Sequence, residues 1–189
     1  MEEPVGEDGL NAGQGERTPR LELFEWFDSV VYSIVAVVML LSFVFRMIGV
    51  DGSSMVPTLQ NTDRVLMVSA FYAPKRGDIV VFTKLRDPLV KRVIAVGGQT
   101  VDIDFESGEV YVDGVLQNEP YIAEPTLREG STTFPLTVPE GHIFVMGDNR
   151  NHSSDSRVQE VGFVDTRYVI GRVLFRVFPL PSFGKIPYV

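Results

Sequence analysis

The sequence predicts a mainly β protein, with one N-terminal transmembrane helix followed by an all-β, barrel-like domain. Three observations predict it. An uncharged run, Ser29–Phe45, lies near the N-terminus; short Val- and Ile-rich runs punctuated by glycine follow; and no long amphipathic helical pattern occurs after residue 50. The boundaries fall at 1–22 for a disordered tail, 23–50 for the anchor helix and 51–189 for the β-rich domain.

Residues 1–20 are rich in Glu and Gly and nearly free of large apolar side chains, so they cannot bury enough surface to offset the entropy of ordering. The 17 residues from Ser29 to Phe45 would span roughly 25 Å as a helix, the short end of a bilayer core of about 30 Å. If Arg46 snorkels to the headgroups, the apolar run continues through Met47, Ile48 and Val50. Phe24, Trp26 and Phe27 precede it as interfacial aromatics. A buried core helix would show a polar face, and this run has none. A cleavable export signal would be shorter and end in a small-x-small site. An uncleaved anchor fits best. Its orientation stays open on charge alone: Arg17 and Arg20 lie before it, Arg46 and Arg64 after it.

Beyond the anchor, Arg64–Ser69, Asp78–Thr83, Val90–Val96, Thr100–Asp104, His142–Met146 and Tyr168–Phe178 have strand texture. Asp113-Gly114 between two alternating arms predicts a hairpin across Glu109–Gln117. The formal charge of −8 argues against a nucleic-acid partner. Without cysteine there are no disulfides and no thiolate chemistry, and two histidines, His142 and His152, leave no metal centre to expect.

Three stretches carry more chemistry than a fold requires. Ser54 lies in Asp51-Gly52-Ser53-Ser54-Met55-Val56-Pro57-Thr58-Leu59, just past the anchor. Lys91 and Arg92 sit side by side in the strand-like run Leu89–Ile94. A polar loop, 147–157, holds Asp148, Arg150, His152, Ser153, Asp155 and Arg157. A serine hydroxyl needs a base to become a nucleophile. Two residues qualify. His152 lies near Asp148 and Asp155 in sequence, as a triad would need. Lys91 would have to be neutral, which burial beside Leu89, Val90, Val93 and Ile94 favours by penalising the charged form. A lysine snorkelling from a sheet edge is the bland alternative.

Gly52–Leu59, Arg76–Phe82, Val90–Ile94 and the Gly147–Arg150 and Ser153–Arg157 segments, in that order, resemble the sequence boxes of bacterial type I signal peptidases. The likeness runs from the anchor to about Pro179. It implies a Ser/Lys dyad, with Ser54 as nucleophile and Lys91 as general base. It implies further that Ser153 orients the lysine amine, that Asp155 pairs with Arg157, and that Asp148 reaches Arg92. The Ser54 backbone N–H is the oxyanion donor so implied. Some members add a serine hydroxyl at the position of Gly52, so this chain either uses backbone donors there or recruits Ser53. Glycine there and a single anchor resemble the Gram-positive branch.

The likeness implies as substrate the signal peptides of exported preproteins, small at −1 and −3, lying as an added strand beside Leu89–Lys91 with Met55, Leu59, Leu89 and Val90 lining shallow pockets. It implies no cofactor, membrane lipid and export machinery as neighbours, a cytoplasmic N-terminus and a domain outside the membrane. A tethered, catalytically idle binding protein is the rival from another class.

Overall fold

Runs rich in Val and Ile favour extended chain and join a ladder, and the glycines between them let the chain reverse. The computed structural model describes residues 19–69, 72–84 and 87–186; the tail expected over 1–22 lies mostly outside them. The first element is an α-helix, α1, Pro19–Val44. Its Leu23–Val44 portion has a mean hydropathy of 2.2 and is long and apolar enough to cross a membrane. Phe24, Trp26, Tyr32 and Leu40 on it are exposed, so the helix supplies no core of its own.

The anchor was expected to run to residue 50, but the helix stops at Val44 and Phe45–Gly49 is a strand, β1. Backbone pairing decides this: Phe45–Gly49 aligns antiparallel with β2, Arg64–Val68, across the nucleophile turn. The remaining strands are β3 (Ile79–Thr83), β4 (Pro88–Val96), β5 (Thr100–Asp104), β6 (Glu109–Val112), β7 (Val115–Leu116), β8 (Leu136–Thr137), β9 (His142–Met146), β10 (Val164–Asp165), β11 (Val169–Phe178) and β12 (Gly184–Lys185).

Among the described residues these form two sheets. One, of eight strands, runs β1-β2-β11-β3-β4-β9-β10 with β12 on β11; the other, of four, runs β7-β6-β5-β8. The larger order is an open path, so the expected barrel does not close, although the sheet curls enough for β1 and β4 to line one groove. The hairpin at Asp113-Gly114 forms with φ of 53° and 75°, the doubly positive pair a type I′ turn needs. Gly171 lets β11 pass over β2, because a Cβ there would run into the Val68 carbonyl. A first core, including Val50, Met55, Leu59, Val65, Met67, Ile79, Val81 and Val173, lies under the nucleophile turn. A second joins the two sheets through Ile94, Val101, Val110, Phe144 and Met146.

Candidate active site

Ser54 sits in a tight turn between β1 and β2. Met55 and Leu59, 1% and 0% exposed, anchor that turn in the core below, and the Leu59 N–H donates to the Met55 carbonyl at 2.9 Å. Leu59 therefore belongs to the core and is not among the residues lining the groove, where it was expected. Gly52 is exposed with φ +92°, and its N–H donates to Asn61 Oδ1 at 3.0 Å.

β4 carries Lys91 and Arg92 to opposite faces, as a two-residue period requires. Lys91 is 3% exposed, yet its Nζ donates to Ser54 Oγ at 2.7 Å and to the Val90 carbonyl at 3.1 Å. Burial holds its amine below the ordinary lysine value, while Asp155 and Asp148 pull the other way. His152, the other candidate base, is exposed. The partner of the Ser54 hydroxyl is the lysine.

On the far face, Arg92 is fully buried, with Nε and Nη2 on the two Asp148 oxygens at 2.8 and 2.7 Å and Nη1 on the Gly77 carbonyl at 2.9 Å. Asp155 takes Arg157 in the same two-pronged way, at 2.8 and 2.9 Å, and accepts the Gly147 N–H at 3.0 Å. Burial alone would raise the Asp155 pKa. The Arg157 fork, the Gly147 N–H and the nearby Ser153 hydroxyl outweigh it and keep the carboxyl below its usual range. Ser153 Oγ is buried and makes no hydrogen bond of ordinary geometry, to Lys91 or to Asp155. The expected hydrogen bond to the amine is therefore not formed in this arrangement.

Several residues without an expected role complete the site. The Asn149 N–H donates to the Ser54 carbonyl at 3.0 Å, and Asn149 Nδ2 to the Ser53 carbonyl at 3.1 Å, so the polar loop clamps the nucleophile turn. Gly147 lies so close that a Cβ would overlap both Ser153 Oγ and the Ser54 carbonyl oxygen. Arg150, fully buried, forks onto Glu119 at 2.6 Å twice and donates to the Gly147 carbonyl at 3.1 Å. Tyr121 lays its ring 3.9 Å from the Arg92 guanidinium carbon. The excess of arginines and carboxylates in so polar a loop was the available signal; which pairs with which is a tertiary matter.

Ser54 and Lys91 open into a groove of about 500 Å³, lined also by Ile48, Val50, Met55, Leu89, Val90 and Ile170. β9 pairs with β4 only from Arg92 onward, so Pro88–Lys91 has β3 on one side and the groove on the other. No group of His, Cys, Asp and Glu among the described residues is arranged to hold a metal.

A hydroxyl bonded to a buried amine, beside an open strand edge able to hold extended chain, is the equipment of a serine peptidase. Comparison with known proteins gives the particular kind. Residues 23–178 match the family described as signal peptidase, peptidase S26, and the chain belongs to that family. It is 37% identical over 170 residues to a probable signal peptidase I-1 of Synechocystis, covering 83% of each chain. It is 33% identical over 174 residues to signal peptidase I S of Bacillus subtilis, covering 86% of this chain and 93% of that one. A solved signal peptidase I from Enterococcus faecalis is 34% identical, with 55% of this chain and 98% of that one covered and a TM-score of 0.47. The activity is that of a signal peptidase I, a serine endopeptidase that removes signal peptides from preproteins. The family is membrane-bound, and the apolar helix suits an anchor.

Proposed function

We propose that Ser54 is the nucleophile and Lys91 the general base. The 2.7 Å contact between Lys91 Nζ and Ser54 Oγ, at the floor of the groove, carries this reading. Neutral Lys91 takes the hydroxyl proton as Ser54 Oγ attacks the scissile carbonyl, then passes it to the leaving amine. In the second half the same amine takes a proton from water as it attacks the acyl-enzyme, then gives that proton to Ser54 Oγ as the acyl–oxygen bond breaks, restoring the hydroxyl and the neutral amine. The Ser54 backbone N–H receives the developing oxyanion. Gly52 has no side-chain donor, and its own N–H is engaged by Asn61, so the donors here are main-chain. Ser153, whose hydroxyl is buried beside Gly147 and has no hydrogen-bond partner here, is assigned to orient the Lys91 amine.

The substrate is the end of a signal peptide, extended along the free edge of Pro88–Lys91. Main-chain pairing there would tolerate many sequences, while Met55, Leu89 and Val90 restrict −1 and −3 to small residues. In this reading the N-terminus is cytoplasmic and the peptidase domain extracytoplasmic, next to lipid and to emerging preproteins, as the family resemblance implies. From Phe45 to Ser54 the chain reaches at most about 30 Å, which keeps the nucleophile near the surface where signal peptides end.

Cleavage of a preprotein with an Ala-x-Ala junction, by the full chain in detergent, tests this. Product cut after the second alanine, absent with Ser54→Ala and with Lys91→Ala but present with His152→Ala, is the expected result. Loss with His152→Ala equal to that with Lys91→Ala would move the base to histidine.

A further inference from the structure

The 117–126 segment, which follows β7 and belongs to neither sheet's ladder, reaches the back of the site without touching the groove. It brings two side chains to the buried arginines. Glu119 takes Arg150 in a two-pronged ion pair, and the partly buried Tyr121 ring lies over Arg92 and, at 5.9 Å, near Arg150. The Thr126 hydroxyl accepts from Arg150 Nη1 at 2.9 Å. Burial and Glu119 push the Tyr121 phenol up, so it remains a neutral ring.

We propose that Tyr121 is a positioning residue for the dyad, covering the face of the Arg92 guanidinium so that Arg92 stays locked on Asp148 and β4 holds Lys91 against Ser54. The proposal rests on the Ser54/Lys91 reading. Arg92 presents its edges to Asp148 and the Gly77 carbonyl, and a flat guanidinium engaged at its edges is open above its plane. An aromatic face placed there attracts the cation and excludes water, an effect strongest where the pair is desolvated.

The consequence reaches Lys91 because Asp148 and Asp155 both favour its charged form. Asp155 is matched by Arg157, and Asp148 by Arg92. Arg46, Asp51 and Asp87 line the same groove as the amine. Glu119 and Arg150 are the charged neighbours of the Tyr121 ring, with Arg76 beside it. Water admitted above Arg92 would weaken its grip on Asp148, and more of that carboxylate's field would then act on Lys91.

The test is the pH dependence of kcat/KM for cleavage of an Ala-x-Ala preprotein by the full chain in detergent. Tyr121→Leu should move the acid limb toward higher pH by about one unit, since a lysine made easier to charge needs a higher pH to act. That is about a tenfold loss below the limb and little loss above it. Tyr121→Phe keeps the ring and should keep the wild-type limb. Where Tyr121→Leu melts too low to assay, pentafluorophenylalanine at 121 keeps the volume but removes the negative ring face, and should shift the limb the same way.

An unchanged limb in a folded Tyr121→Leu or pentafluorophenylalanine protein overturns the proposal. A uniform loss at every pH would also overturn it, since that marks a purely structural role. Lys91→Ala is run alongside: if it stays active the dyad itself is wrong, whereas a dead Lys91→Ala with an unmoved Tyr121→Leu limb removes the positioning role alone.

Discussion

At the scale of single residues the site depends on keeping one lysine uncharged. A neutral amine is the working form, so activity should rise with pH through the depressed pKa of Lys91, and a flat profile from neutral to alkaline pH would contradict the dyad. Arginine cannot serve, because it stays protonated; Lys91→Arg should lose on the order of 10²–10⁴-fold in kcat. Lys91 also costs stability. Below the unfolded pKa of about 10.4 the unfolded chain holds a proton that the folded chain gives up. Folding is therefore penalised more and more as pH falls toward the folded value. Lys91→Met should abolish activity and raise Tm, by roughly 2–4 °C per kcal/mol recovered. A melting curve at pH 7 beside an activity assay checks both.

At the scale of elements, the polar loop is a clamp built from paired charges. Arg157 and Asp155 are 2% and 0% exposed, so Asp155→Asn leaves an arginine buried without its counter-charge. It should cost about 3–5 kcal/mol, read as a lowered denaturation midpoint. The depressed Asp155 carboxyl adds stability above its unfolded pKa, and that stability is lost as pH falls through the folded value. Gly147→Ala puts a methyl group against the Ser54 carbonyl, which is backbone and cannot step aside. The nucleophile turn can yield only as a whole, so we expect a loss of about 10²-fold in kcat together with a lowered Tm. Strand texture made most of these elements legible: His142–Met146 and Thr100–Asp104 coincide with β9 and β5. Two-residue strands such as Leu136–Thr137 and Val164–Asp165 were not legible, because so short a run has no period of its own.

At the scale of the whole molecule, the chain divides into a unit ending at Leu40 and a unit from Leu41 onward. Among the described residues none of the helical unit appears in the buried core, so deleting residues 1–40 should leave the Tm of the remainder within a few degrees. The truncated protein should still cut a peptide in solution but lose efficiency on a membrane-inserted preprotein, which compared kcat/KM values would show. With the proposed orientation, protease added outside intact spheroplasts should digest the peptidase domain and spare the helix.

The sequence by itself determined what depends on composition and short-range order. An uncharged run cannot settle in water, Val- and Ile-rich runs form strands, and Ser54, Lys91 and the polar loop declare chemistry wherever they fold. Tertiary structure decided what depends on separation in space. The end of the helix at Val44 follows from pairing with β2, a choice local hydropathy cannot show. Leu59 was drawn into the core rather than the groove by the turn that carries Ser54. The assignment of Asp148 to Arg92, Asp155 to Arg157 and Glu119 to Arg150 joins residues up to 56 positions apart. Ion pairs are chosen by which side chains the fold buries together, and burial is a property of the packed molecule.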